Sequence, residues 1–180
     1  ITRKYLLNVK TIRAILAELA KLAGLTYSPD LVTIEIAVAR HRRPTTLPSG
    51  KMAIYMFFHR GICLKVGRAY ANSKARYVSH HYDPKSSRSN LAKSILKHRY
   101  DYEFIPSGSA HIGKWIENNM DRINILLLDD LGTYYLSLVE AFFQCYLQPR
   151  YEGFKKQKKY PPGPIRVAVL KKTRRSIEQG

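Results

Sequence analysis

Five side chains in this chain could act together on a phosphodiester: Tyr55, Lys65, Arg76, His80 and Glu140. A phenol can orient or activate water. An ammonium group can lower the phenol's proton affinity. A guanidinium can neutralise charge building on a phosphoryl group, and an imidazole can contact phosphate or carry a proton. A carboxylate can hold a divalent cation. Taken singly, each has an ordinary structural use. Lys65 suits an edge strand, Arg76 and His80 suit a solvated helix face, and Glu140 suits a salt bridge in a chain with 31 Lys and Arg. Their order along the chain is what gives them joint weight.

The elements that must position them can be read from local pattern. Met52–Phe58 and Ile62–Val66 are β-rich segments, and His59-Arg60-Gly61 between them reads as a three-residue loop with Gly last. That loop sets Phe58 opposite Ile62, Met56 opposite Leu64 and Ile54 opposite Val66, an apolar core face. The same register places Tyr55 opposite Lys65 on the other face. Gly67–Asn72 reads as a loop, and Ser73 as the N-cap of a helix to about Tyr82. Arg76 and His80 then share one helix face. Thr133–Leu147 reads as an apolar helix with Leu136, Val139, Phe143 and Leu147 inward, ended by Pro149. Glu140 is its outlier, a carboxylate among apolar neighbours that needs a partner.

The remaining chain frames this core. Residues 5–24 have helical spacing (Leu6, Val9, Ile12, Leu16, Leu19) with Gly24 as a stop. Residues 31–40 fit either a strand or a helix. Helices are expected over 90–99 and 109–119, a central strand over Ile123–Leu128, and a last strand over Ile165–Leu170. The length of 180 residues suits one domain, and the formal net charge of +18 points to a polyanion, most simply nucleic acid. The 13 tyrosines argue against a disordered basic tail. The two cysteines, Cys63 and Cys145, read as buried free thiols of a reducing compartment rather than a disulfide or zinc framework. No apolar run reaches membrane-spanning length and no signal peptide is visible. A first residue of Ile suggests that the natural start lies upstream.

Ala53-Ile54-Tyr55, Lys65-Val66-Gly67, Arg76 with His80 four residues on, and Leu138-Val139-Glu140 running to Leu147-Gln148-Pro149-Arg150-Tyr151 resemble the GIY-YIG nucleases. Ala53 replaces the first glycine of that pattern and Lys65 its second tyrosine. Glu152 stands where an asparagine is common. The resemblance covers roughly residues 52–152. It implies an α/β (α+β) fold with a small three-stranded antiparallel sheet flanked by helices. Around that core lie an N-terminal extension over 1–48, a helical insertion over 83–119 and a basic tail over 153–180. The insertion and the lysine resemble the restriction-endonuclease branch.

What the resemblance implies chemically is metal-assisted hydrolysis of DNA. Glu140 would hold Mg²⁺ or Mn²⁺, Arg76 would neutralise phosphoryl charge, Tyr55 would activate or orient water, and His80 would contact phosphate or shuttle a proton. A phenol's ordinary pKa of about 10 means that Lys65 or the metal must help if Tyr55 is the base, and the sequence leaves the base open. Arg42, Arg43, Arg68, Lys93, Lys97, Lys155, Lys156, Lys158 and Lys159 would contact backbone phosphates of double-stranded DNA, giving salt-dependent binding without base readout. A palindromic target would favour a homodimer. The implied setting is the cytoplasm of a prokaryote, or a phage. The rivals are a homing or repair nuclease and a non-catalytic basic nucleic-acid-binding protein.

Overall fold

In a computed structural model of the chain, the described residues are 7–86, 90–101 and 109–151. A four-stranded antiparallel sheet lies between two helical layers. Its strands are β1 (Val32–Ala37), β2 (Lys51–His59), β3 (Ile62–Ala69) and β4 (Asp121–Leu128), in the order β1-β4-β2-β3. The sheet therefore has one strand more than expected. The extra one is β1, the ambiguous 31–40 segment. Its Val32, Ile34 and Ile36 pair along β4, where an edge strand has a ladder to join. No helix among the described residues is long and apolar enough to cross a membrane.

One layer is made by α1 (Val9–Leu22) and α5 (Gly132–Leu147). Asn8 caps α1 by accepting from the Thr11 N–H at 2.8 Å. Ile12, Leu16 and Leu19 of α1 and Leu136, Val139 and Phe143 of α5 are buried against Ile54, Met56, Phe58 and Val66 of the sheet. The Tyr135 hydroxyl ties the two helices by donating to the Leu16 carbonyl at 2.7 Å. Cys63 is buried in this layer, but Cys145 is exposed on α5, contrary to expectation. It falls on the outward side of a helix that buries only one stripe.

The other layer holds α2 (Lys74–Val78), α3 (Leu91–Lys97) and α4 (Ile112–Asn119). They pack Leu91, Ile95, Ile112, Trp115 and Ile116 over Ala53, Tyr55, Phe57 and Leu64. The expected division into a core face and a polar face is therefore replaced by two buried faces. The 165–170 strand call and Glu152 lie outside the described residues.

The hairpin register differs from expectation in two steps. Arg60 and Gly61 both have positive φ, 49° and 78°, so the loop has two residues, and His59 pairs with Ile62. This is the primed turn whose twist suits a hairpin. A bulge then sets Phe57 and Phe58 against Cys63, Leu64 and Lys65. Each step moves the pairing by one residue. Phe58 thus meets Cys63, Met56 meets Val66 and Ile54 meets Arg68. Tyr55 faces Gly67, not Lys65, and Lys65 faces Phe57. A shift of two residues restores the side-chain parity, so Tyr55 and Lys65 still project from one face.

Candidate active site

That shared face can be laid out from the strand registers. One transverse row reads Gly67, Tyr55, Asn124, Glu35, and the next reads Lys65, Phe57, Arg122, Ala37. Tyr55 is fully buried, and Gly67 leaves it room. A Cβ built at Gly67 would lie 2.5 Å from the Tyr55 hydroxyl and 2.7 Å from Cε2 and Cζ. The glycine is thus needed for close approach across the strand pair. Arg76 of α2 donates from Nε to the Tyr55 hydroxyl at 3.1 Å.

Helix α2 ends at Val78, five residues long, and the chain then turns. The helix expected to reach Tyr82 is cut short there, and Ser73 occupies the N-cap position without a side-chain bond. Gly67–Ala69, expected as loop, continues β3. His80 lies in the turn, off the helix, so it does not share a helix face with Arg76. Its neighbour His81 points inward instead. The His81 ring lies 4.7 Å from the Tyr55 ring and 5.6 Å from Phe57. Only 1 % of His81 is exposed, and neither ring nitrogen has a hydrogen-bond partner among the described residues. Burial, and then the positive charges of Lys65, Arg122, Arg76 and His80, hold its pKa well below the usual imidazole range.

Arg122 is the other residue that sequence reasoning overlooked. It is fully buried, and donates to Asn124 Oδ1 at 2.8 Å, to the Tyr82 hydroxyl at 3.1 Å and to the Tyr77 carbonyl at 2.8 Å. Its guanidinium carbon lies 4.8–5.9 Å from the rings of Tyr77, Phe57, Tyr55 and Tyr82. Asn124 passes the interaction on by donating to Glu35 Oε2 at 3.0 Å. The Tyr82 hydroxyl in turn donates to His41 Nε2 at 2.9 Å, while His41 Nδ1–H donates to the Met120 carbonyl at 2.8 Å. Burial lowers the His41 pKa and raises those of Tyr77 and Tyr82, so these three groups favour their neutral forms.

Glu140 belongs to the opposite layer. Its Oε2 pairs with Arg68 Nη1 at 3.1 Å, with 15 % of the Glu140 side chain exposed, and Arg68 Nη1 also donates to Ser137 Oγ at 2.7 Å. Arg68 follows Gly67 on β3 and pairs with Ile54, so it projects towards α5. The structure thus gathers Tyr55, Lys65, Gly67, Arg76 and His81 on one face of edge strand β3. Glu140 and Arg68 stand on the other. Past α5, Gln148 takes a left-handed φ of 47°, and the chain returns along β3, where the Arg150 and Tyr151 N–H groups donate to the Cys63 and Leu64 carbonyls, both at 3.0 Å. This is the physical role of the proline–aromatic turn, and it fixes α5 against the strand that carries Gly67.

Of the expected phosphate contacts, Arg42, Lys93 and Lys97 are exposed. Lys93 and Lys97 lie one turn apart on the outer side of α3. Arg43 is paired with Glu117 at 2.7 Å and lies over the Tyr82 ring at 5.2 Å, and Arg68 is held by Glu140. Lys155, Lys156, Lys158 and Lys159 lie outside the described residues. No cluster of three His, Cys, Asp or Glu able to hold a metal occurs among the described residues. Glu140 is the one carboxylate of the expected site set, and Arg68 is paired with it. Comparison with known protein families, with curated proteins and with solved structures gives no match.

Proposed function

We propose that this protein is a divalent-metal-dependent endonuclease that hydrolyses phosphodiester bonds of double-stranded DNA, as a type II restriction enzyme. The observation that carries the reading is the Arg76 Nε–H···Oη bond of 3.1 Å to Tyr55, made over a glycine whose missing side chain admits the phenol. A guanidinium on a buried phenol suits a phosphodiester. Arg76 reaches solvent and would bind a phosphoryl oxygen as charge grows on it. Tyr55 would orient the attacking water, with Lys65 supplying positive charge from the same face. Glu140 would hold Mg²⁺ or Mn²⁺, which keep several waters and accept one carboxylate plus substrate phosphate. When bound, such an ion polarises the phosphate and stabilises the leaving oxygen. Arg42, Lys93 and Lys97 would contact the DNA backbone.

The test is duplex DNA with Mg²⁺, using the wild type beside Glu140→Ala and Arg76→Ala variants. Loss of a charged group that acts on the transition state lowers the rate roughly 10²–10³-fold. No cutting by the wild type across substrates and metals overturns the enzyme reading, while wild-type cutting by Glu140→Ala removes that residue from the site. Cut ends at discrete plasmid positions support restriction or homing, and cuts confined to junctions or lesions support repair. One observation favours a second reading, a basic nucleic-acid-binding protein without catalysis. Glu140 is neutralised by Arg68 and faces away from Tyr55 across β3. Under that reading duplex binds, with steep salt dependence, and is never cut.

A further inference from the structure

We propose that His81 is the proton-accepting member of this site: its imidazole takes up a proton when a phosphate anion binds beside Arg76 and Tyr55. The inference rests on the phosphate-binding part of the endonuclease reading and not on cleavage. His81 is placed for this role by its surroundings rather than by a bond. Tyr55 and Phe57 of β2 pack on the ring, and the Ala92 N–H at the start of α3 holds the His81 carbonyl at 3.1 Å. The chargeable groups that act on the imidazole are Lys65 of β3, Arg122 of β4, Arg76 of α2 and His80 of the following turn. All four are cationic or become so on protonation. They oppose a further positive charge, and burial opposes it too. A buried imidazole whose two nitrogens lack partners keeps the desolvation cost of both without the bonds that would offset it. Such a group calls for an explanation.

An arriving phosphate supplies it. Its negative charge offsets the positive field around the ring, and the same imidazole then becomes more basic. At an effective dielectric of about 20, a nearby unit charge changes the proton affinity by roughly one to two pH units. Anion binding and proton uptake are thereby coupled, and tighter binding at lower pH follows. The sequence hides this residue because a regular helix through Tyr82 would give Arg76 and His80 the shared face, and the early end of α2 gives the inward position to His81.

The experiment follows the His81 Cε1–H resonance against pH by NMR, without metal. The chain has six histidines, so the resonances separate, and His81→Gln assigns the one that disappears. The probes are a short DNA duplex and, separately, sodium sulfate. The expected result is an upward move of the His81 midpoint by about one to two pH units on duplex binding, abolished in Arg76→Ala. A duplex that binds, as seen in other resonances, without moving His81 overturns the inference and leaves the endonuclease reading standing. A midpoint moved by sulfate while duplex fails to bind upholds the anion site and overturns the nucleic-acid reading. A midpoint that neither probe moves, or that still moves in Arg76→Ala, overturns the inference.

Discussion

Replacing Gly67 by alanine tests the site at its tightest point. The added methyl would sit 2.5 Å from the Tyr55 hydroxyl and 2.7 Å from two ring carbons. Real Cβ contacts are ordinarily 3.4 Å or longer, so the ring must move by about an ångström. It has little room to do so. Tyr55 is fully buried, with Arg76 on its hydroxyl, His81 against the ring and Arg122 nearby. Overpacking a rigid core costs about 1–3 kcal/mol. Gly67 has an ordinary φ, so the alanine brings no backbone strain and regains roughly 0.4–1 kcal/mol by restricting the unfolded chain. The net expectation is a loss of about 1–2 kcal/mol. For a chain of this size that lowers Tm by roughly 2–8 °C. Calorimetry and urea unfolding measure it. Because the displaced ring carries the hydroxyl bonded by Arg76, cleavage should fall more than stability. In a Tyr55→Ala background the same methyl has space, so the double-mutant cycle should return a coupling of about 1 kcal/mol or more. A Gly67→Ala protein as stable as the wild type, with no coupling to position 55, would refute the Tyr55–Gly67 pairing and the site built on it.

Three further outcomes follow from the same contacts. Burial works to raise the Glu117 carboxyl, but bonds from Arg43 and Lys114 outweigh it and hold the pKa below the ordinary 4.5. The group therefore adds stability above pH 4.5 that is lost as pH falls through the lower folded value, and Glu117→Gln should flatten that part of the stability–pH curve by up to about 1 kcal/mol. Tyr135→Phe removes the bond from α5 to the Leu16 carbonyl and should cost about 1 kcal/mol in urea unfolding. Since burial pushes the Tyr135 phenol up to about 12, the wild type should also lose stability as pH rises from 10 to 12, and the variant should lose less. Lys65→Met should shift the pH–rate profile of cleavage while Lys65→Arg restores it, if the charge on that face is what matters.

Strands β2 and β4 and the long helices were legible because each carries a single dominant signal, whereas β1 carries two and became a strand only by pairing with β4. Ile123–Leu128 is a near-continuous apolar run, broken by Asn124, and forms most of β4, and Leu136, Val139 and Phe143 recur at helical spacing and are buried in α5. The hairpin register was legible only to its parity. Arg60 and Gly61 can close a two-residue loop or belong to a three-residue one, and nothing local marks the bulge at Phe57–Phe58. Arg122 was invisible for a different reason. A charged residue before an apolar run looks like the solvated start of a strand, and only the ring of Tyr77, Tyr82, Phe57 and Asn124 explains its burial. Those partners come from three separate stretches of chain. His81 was lost through the same non-locality, since the end of α2 after Val78 decides which of two adjacent histidines turns inward.

The separation of Glu140 from Tyr55 across β3 bears on how one substrate could use both. β3 is the last strand of its sheet, so its outer edge is the line where the two faces meet. Gly67 and Arg68 are consecutive there and direct the chemistry to opposite sides, the phenol and Arg76 on one, the ion pair on the other. A phosphate approaching the edge near these two residues would come between them. Arg150 and Tyr151 already occupy the edge at Cys63 and Leu64, while Arg68 near the other end stays half-buried. Under the proposed function, an anion there would compete with Glu140 for the Arg68 guanidinium. Under that reading, the ion pair that holds Glu140 would act as a lock that substrate itself opens.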